Sequence, residues 1–168
     1  MADLPDLKQE NEWVKNTLLN WINNLVKKYN LDGLRIDTIP EVPKWFWKMF
    51  SDSAGVYTIG EIFDGRTGYV ADYQNYIDAT LNYPLYFAIK SVFGQEHSMY
   101  EFESKFQDIN KNFKDPSVLG VFVDNHDNAR FLNSQQNQQR FKSALVFALL
   151  VSNCFLTIRR NSYCILWF

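Results

Sequence analysis

Arg35 and Asp37 stand two residues apart in the run LDGLRID, so a strand there points both side chains the same way. Glu61 follows a second apolar run, GVYTIG, and a third, SVLGVFV, runs into the polar cluster DNHD that contains His126 and Asp127. A lone acidic residue at a strand end is more often a helix cap or an ion-pair partner than a reactive group. Three on one rim have a further use. Carboxylates gathered together raise one another's pKa values, so one stays protonated while another stays ionised beside Arg35, the division of labour that cleavage of a glycosidic bond requires. A bound metal ion is the competing use of such a cluster, and residue types leave both open.

To meet, these residues need elements that bring three strand ends together. Residues 9–29 carry Trp13, Val14, Leu18, Trp21, Ile22, Leu25, Val26 and Tyr29 at spacings of three and four, which predicts a helix with one apolar face. LDGLRID follows as a buried strand. Pro40 and Pro43 mark the start of a helix over 42–52, and a strand is expected over 55–62. IDATLNYP is a third candidate strand, with a helix over 83–93 behind it. Ser98 and Glu101 have the spacing of a capping box for a helix to residue 112. After SVLGVFVDNHD, a last helix over 136–151 should turn Phe141, Leu145, Ala148 and Leu149 inward. This alternation is that of βα units around a parallel sheet, an α/β fold whose ligand site lies at the carboxyl ends of the strands.

Composition narrows the partners. The 168 residues are 46% hydrophobic and 21% charged, a globular balance, and a formal net charge of −2 without a dense Lys/Arg run argues against nucleic acid and anionic membrane. Aromatic residues reach 17%, enough for a large core or for stacking on planar or sugar-like ligands. Trp45, Trp47, Tyr57 and Tyr73 are read as core. The opening ADLPDLKQENEW lacks the apolar run of a signal peptide, and no stretch reaches transmembrane length. Cys154 and Cys164 show no metal-ligand spacing.

Four segments, in order, carry a resemblance: ADLPDL, GLRIDT, GEIFDG and FVDNHDNARF, spread over residues 2–131. Together they resemble the α-amylases of glycoside hydrolase family 13, in particular the calcium-dependent fungal type. The resemblance implies a partial (β/α)8 barrel, roughly strands 4 to 7 with their helices, in residues 1–153. It makes Asp37 the nucleophile, Glu61 the general acid/base and Asp127 the carboxylate that grips sugar hydroxyls, with Arg35 and His126 supporting substrate. Retention through a covalent glycosyl-enzyme would then set the Asp37 and Glu61 carboxyls roughly 5–5.5 Å apart. Asp6 matches a Ca2+ ligand and the carbonyl of Glu41 a second; from its surroundings alone, Asp6 is also a plausible turn residue after Pro5. The implied substrates are starch, glycogen and maltooligosaccharides, cut at internal α-1,4 bonds by a monomeric, extracellular parent protein.

The chain also departs from that pattern. Pro40-Glu41 stands where the family has Lys-His, which bears on leaving-group specificity, and Ala129 replaces a proline. Four strands are expected against the eight strands and about 250 residues of a closed barrel. Residues 154–168, ending IRRNSYCILWF, look like an atypical, out-of-frame tail. A half barrel would expose its inner face and is expected to be inactive alone. An α-glucosidase or cyclodextrin-acting enzyme of the same family, and a non-catalytic sugar-binding remnant, are the alternatives.

Overall fold

Asn11 begins the first helix, its side-chain oxygen accepting the backbone N–H groups of Trp13 and Val14 at 2.9 and 3.2 Å. In the computed structural model, which describes residues 6–151 and 154–155, helix α1 runs Glu12–Tyr29 and ends where Asn30 turns left-handed at φ 48°. Its buried face is narrower than the apolar spacing predicts. Ile22 and Val26 are buried, whereas Trp13 is 76% exposed at the free end of the helix.

Strand β1, Gly33–Ile36, pairs in parallel with β2, Tyr57–Gly60, and between them lies α2, Lys44–Ala54. The helix over 42–52 thus starts two residues late, because residues Ile39–Glu41 take a tight 3-10 turn and Pro43 serves as the cap. It stops at Gly55, left-handed at φ 65°. After the short helix α3, Thr67–Asp72, strand β3, Ala79–Thr80, joins β2 in parallel. Helix α4, Tyr83–Ile89, continues into a π-helical turn over Lys90–Gly94, and α5 spans Tyr100–Asn112. Strand β4, Gly120–Val121, then leads to α6, Phe131–Ser134, α7, Gln138–Val151, and β5, Cys154–Phe155, which pairs with β4 in parallel. A bridge from Leu81 to Gly120, with Asn82 N–H donating to the Gly120 carbonyl at 2.8 Å, links β3 to β4. Among the described residues five parallel strands therefore follow one another in sequence order, the arrangement of an arc of a β/α barrel. Cys154 and Phe155, where the atypical tail was expected to begin, pair within this sheet; residues 156–168 lie outside the described residues.

The period of two along each strand divides the apolar side chains between two faces. Leu34 and Ile36 pack toward the helices, with Ile22, Val26, Phe46 and Phe50. Arg35 lies opposite Ile59, which lies opposite Ala79, so these three share the inner face. There, Ile59, Ala79, Leu81 and Phe122 are only 0–6% exposed, packed with the rings of Tyr83 and Tyr86. The exposure expected on the inner face of a half barrel is absent at these positions because aromatic rings fill it.

Two local expectations fail. Ser98 Oγ accepts from the Tyr100 amide at 3.3 Å, and the Glu101 carboxylate turns to His97 Nδ1 at 2.9 Å, so the reciprocal capping box does not form. On α7 the buried face is Ala144 and Ala148, four residues apart, which leaves Leu149 54% exposed rather than inward.

Gly60 is the tightest point of the sheet. A Cβ there would meet Ile39 Cδ1 at 2.5 Å and Ile77 Cδ1 at 2.6 Å, and both isoleucines are buried. Gly60→Ala is expected to cost about 1–3 kcal/mol through overpacking, read as a lower urea midpoint at unchanged slope.

Candidate active site

Each strand end delivers a different group. Asp37 follows the last residue of β1 and Glu61 the last of β2, and the backbone there is pinned from both sides. The Glu61 N–H donates to the Ile36 carbonyl at 2.8 Å, and the Ile39 N–H donates to the Glu61 carbonyl at 3.1 Å. Thr38 sits between these bonds in the left-handed region, φ 42° and ψ 45°, which a β-branched residue rarely adopts. Its N–H points at Glu61 Oε2, 3.5 Å away. Strain of this kind persists where surrounding contacts over-determine the backbone.

Arg35 answers to both carboxylates. Its Nη1 lies 2.5 Å from Asp37 Oδ1 and its Nη2 2.9 Å from Glu61 Oε2, and all three side chains are nearly buried, at 9–12% exposure. Burial opposes ionisation of Asp37, but the hydrogen bond with Glu61 and the Arg35 charge outweigh it and hold this carboxyl below the ordinary range. Burial, then the hydrogen bond with Asp37, pushes Glu61 up to about 7 against the pull of Arg35 and the Tyr83 hydroxyl. Below about pH 7 the pair thus carries a single proton, and Glu61 is the member that holds it. The two carboxyls are in hydrogen-bonding contact with each other.

Behind Glu61, the Tyr83 hydroxyl donates to Oε1 at 2.9 Å and receives Asn125 Nδ2 at 2.7 Å. Asn125 in turn accepts the amides of Asp127 and Asn128 at 3.2 and 3.0 Å, which shapes the turn carrying Asp127. Asp127 lines one pocket of about 360 Å3 together with Asp37, Glu61, Pro40, Glu41 and Tyr69. His126 Nε2 lies 3.3 Å from Asp127 Oδ1. Arg35, Asp37 and Glu61 therefore meet, Asp127 faces the same pocket, and His126 stands beside it. Sequence reasoning missed Tyr83, Asn125 and Thr38. The tripeptide NYP after a strand and the Asn inside DNHD were the available signals.

The residues matched to calcium do not make a site by themselves. Asp6 is exposed and accepts Gln9 Nε2 at 3.5 Å, while Glu41 closes the 3-10 turn and lines the pocket. Among the described residues no group of three or more His, Cys, Asp or Glu could hold a metal ion. Calcium takes six to eight oxygens.

Residues 1–46 and 42–157 match the family described as alpha amylase, catalytic domain. The chain belongs to this α-amylase family, glycoside hydrolase family 13. It is 42% identical over 157 residues to a beta/alpha-amylase of Paenibacillus polymyxa, covering 89% of this chain and 13% of that protein. Against alpha-amylase 2 of Schwanniomyces occidentalis it is 36% identical over 150 residues, covering 89% and 30%. The solved structure of an alpha-amylase from Malbranchea cinnamomea superposes with a TM-score of 0.86 at 36% identity, over 90% of this chain and 33% of that one. The chain thus spans about a third or less of the relatives it matches, and its fold is part of the α-amylase barrel.

The raised pKa of Glu61 has a measurable sign. Between its ordinary value of 4.5 and about 7 the folded α-amylase segment holds a proton that the unfolded chain has released, so Glu61 costs stability progressively as pH rises through that window. Glu61→Gln removes the cost. The melting temperature of the variant relative to the parent protein is expected to rise between pH 4.5 and pH 8; a constant difference would mean that Glu61 titrates normally.

Proposed function

We propose that this segment is the catalytic portion of an α-amylase that hydrolyses internal α-1,4-glucosidic bonds of starch, glycogen or maltooligosaccharides with retention. The observation that carries the reading is the pair of nearly buried carboxyls, Asp37 and Glu61, on the two arms of Arg35, an arrangement that holds Asp37 below the ordinary range and pushes Glu61 up to about 7. Asp37 attacks the anomeric carbon as Glu61 passes its proton to the glycosidic oxygen, giving a covalent glycosyl-enzyme and a free leaving chain. Glu61, now ionised, takes a proton from water, which attacks the same carbon and releases Asp37. A sugar entering between the two carboxyls replaces their mutual hydrogen bond with bonds to substrate and opens them toward the spacing of roughly 5–5.5 Å that retention requires. Asp127 and His126 hydrogen-bond the sugar hydroxyls.

Pro40 and Glu41 line the pocket in place of the family's Lys-His, and this supports a second reading within the family, an α-glucosidase or cyclodextrin-acting enzyme. Hydrolysis of a maltooligosaccharide blocked at its non-reducing end separates endo- from exo-action. The parent protein is proposed to be monomeric and extracellular; among the described residues no helix is long and apolar enough to cross a membrane. The 168-residue chain alone is proposed to be inactive, since three of the eight barrel strands that complete the pocket wall are not among its described elements.

In the full-length protein, Asp37→Asn, Glu61→Gln and Asp127→Asn are each expected to lower turnover on soluble starch by orders of magnitude at little cost to folding. NMR of the nascent product should show the α-anomer first; the β-anomer would exclude retention. The chain alone, assayed beside Asp37→Asn, should release no reducing ends above that control.

Calcium belongs to the same reading, with Asp6 and the Glu41 carbonyl as two ligands among six to eight and the rest supplied from outside this segment. An ion bound only by the folded state stabilises by mass action. Chelation is expected to lower the melting temperature of the full-length protein, and Asp6→Ala to weaken that response; an unchanged melting temperature leaves Asp6 as a turn residue.

A further inference from the structure

A buried chain of three side chains runs behind the carboxylate pair, and its hydrogen-bond directions are determined. Tyr83 is 0% exposed and Asn125 2% exposed. Three donors converge on Asn125 Oδ1: the Asp127 amide at 3.2 Å, the Asn128 amide at 3.0 Å and Asn128 Nδ2 at 2.9 Å. The oxygen must therefore face the turn, and the NH2 group must face Tyr83. With Asn125 Nδ2 donating to its oxygen at 2.7 Å, the hydroxyl of Tyr83 directs its one proton at Glu61 Oε1, 2.9 Å away. The Tyr83 ring is held independently, edge-on to Phe63 and Phe122 at centroid distances of 5.0 Å each.

We propose that Tyr83 and Asn125 are positioning residues for Glu61, the amide setting the direction of the hydroxyl proton and the hydroxyl fixing the carboxyl. One amide thereby couples the placement of Glu61 to that of the turn bearing Asp127. The proposal rests on the reading of Glu61 as the acid/base. The other titratable and charged groups that face Glu61 are Arg35 and Asp37 at the end of β1, and Asp127 adds its field to Tyr83.

A donor aimed at Glu61 favours its ionised form, so the hydroxyl restrains the upward shift caused by burial. The general acid must be protonated, and activity is lost as pH rises through its pKa. In the full-length protein, Tyr83→Phe keeps the ring and removes the donor. The basic limb of the kcat/KM profile is expected to move to higher pH by about one unit, with kcat down about tenfold and KM near that of the parent protein. Asn125→Asp still accepts from the Asp127 and Asn128 amides, but its ionised carboxylate takes the Tyr83 proton and turns the hydroxyl away. It should move the limb the same way, and by less when Tyr83→Phe is already present.

Melting temperatures report whether both variants fold. A basic limb unmoved in Tyr83→Phe, with kcat lowered equally at every pH, overturns the proposal, as does a full additional shift from Asn125→Asp in the double variant. Near-normal turnover by Glu61→Gln would instead remove the underlying acid/base reading, so the two failures are distinguishable.

Discussion

A guanidinium shared between two nearly buried carboxylates is the constraint around which this structure is arranged. Arg35 points inward from the middle of a strand, and its planar fork meets Asp37 on one arm and Glu61 on the other. A single positive charge cannot satisfy two ionised acids in a dry setting, so one of them keeps its proton. Burial and contacts select Glu61. The asymmetry is therefore electrostatic, and it exists before any substrate arrives.

The parallel pairing of β1 with β2 makes this arrangement possible. Its register places Arg35 opposite Ile59 and the end of one strand opposite the end of the next, which brings Asp37 and Glu61 level on the inner face. Gly60 lets Ile39 and Ile77 close over the other face, where a methyl group would collide with both. Aromatic rings then fill the inner layer beneath the carboxylates, with Tyr86 stacked on Phe122 at 4.8 Å and 17°. The charged rim thus stands on a dry, close-packed floor, which keeps the local dielectric low where the proton is held.

Much of this is legible in the sequence because it is written locally. An apolar run that ends in an acid reads as a strand end, and helix spacing between such runs reads as a crossover, so α1, α2, α5 and α7 and the strands leading to Asp37, Glu61 and Asp127 can be located from residues 9–151. Helices α3 and α6 are too short to show a period. The bond from Asn125 to Tyr83 joins residues 42 apart, and although NYP and DNHD mark each residue, neither run shows that the two meet. Backbone conformation is equally silent: Thr38 has no sequence mark of its left-handed geometry, since glycine or asparagine is the usual sign. Leu149 misleads for the opposite reason, because apolar character on α7 runs almost all round the helix, and Ala144 and Ala148 are buried with Phe141, Leu145 and Phe147 packed beside them while Leu149 stays outside.

The turn from Ile36 to Glu41 divides into two parts with different freedoms. Through Ile39 the main chain is tied to Glu61 on both sides and carries the strain at Thr38, so insertions or backbone shifts there would move Asp37 away from Glu61. Pro40 and Glu41 come just after those ties, facing the pocket with side chains that the carboxylate pair does not depend on. A substitution at either position therefore reshapes the pocket lining without touching the ties that hold Asp37 level with Glu61.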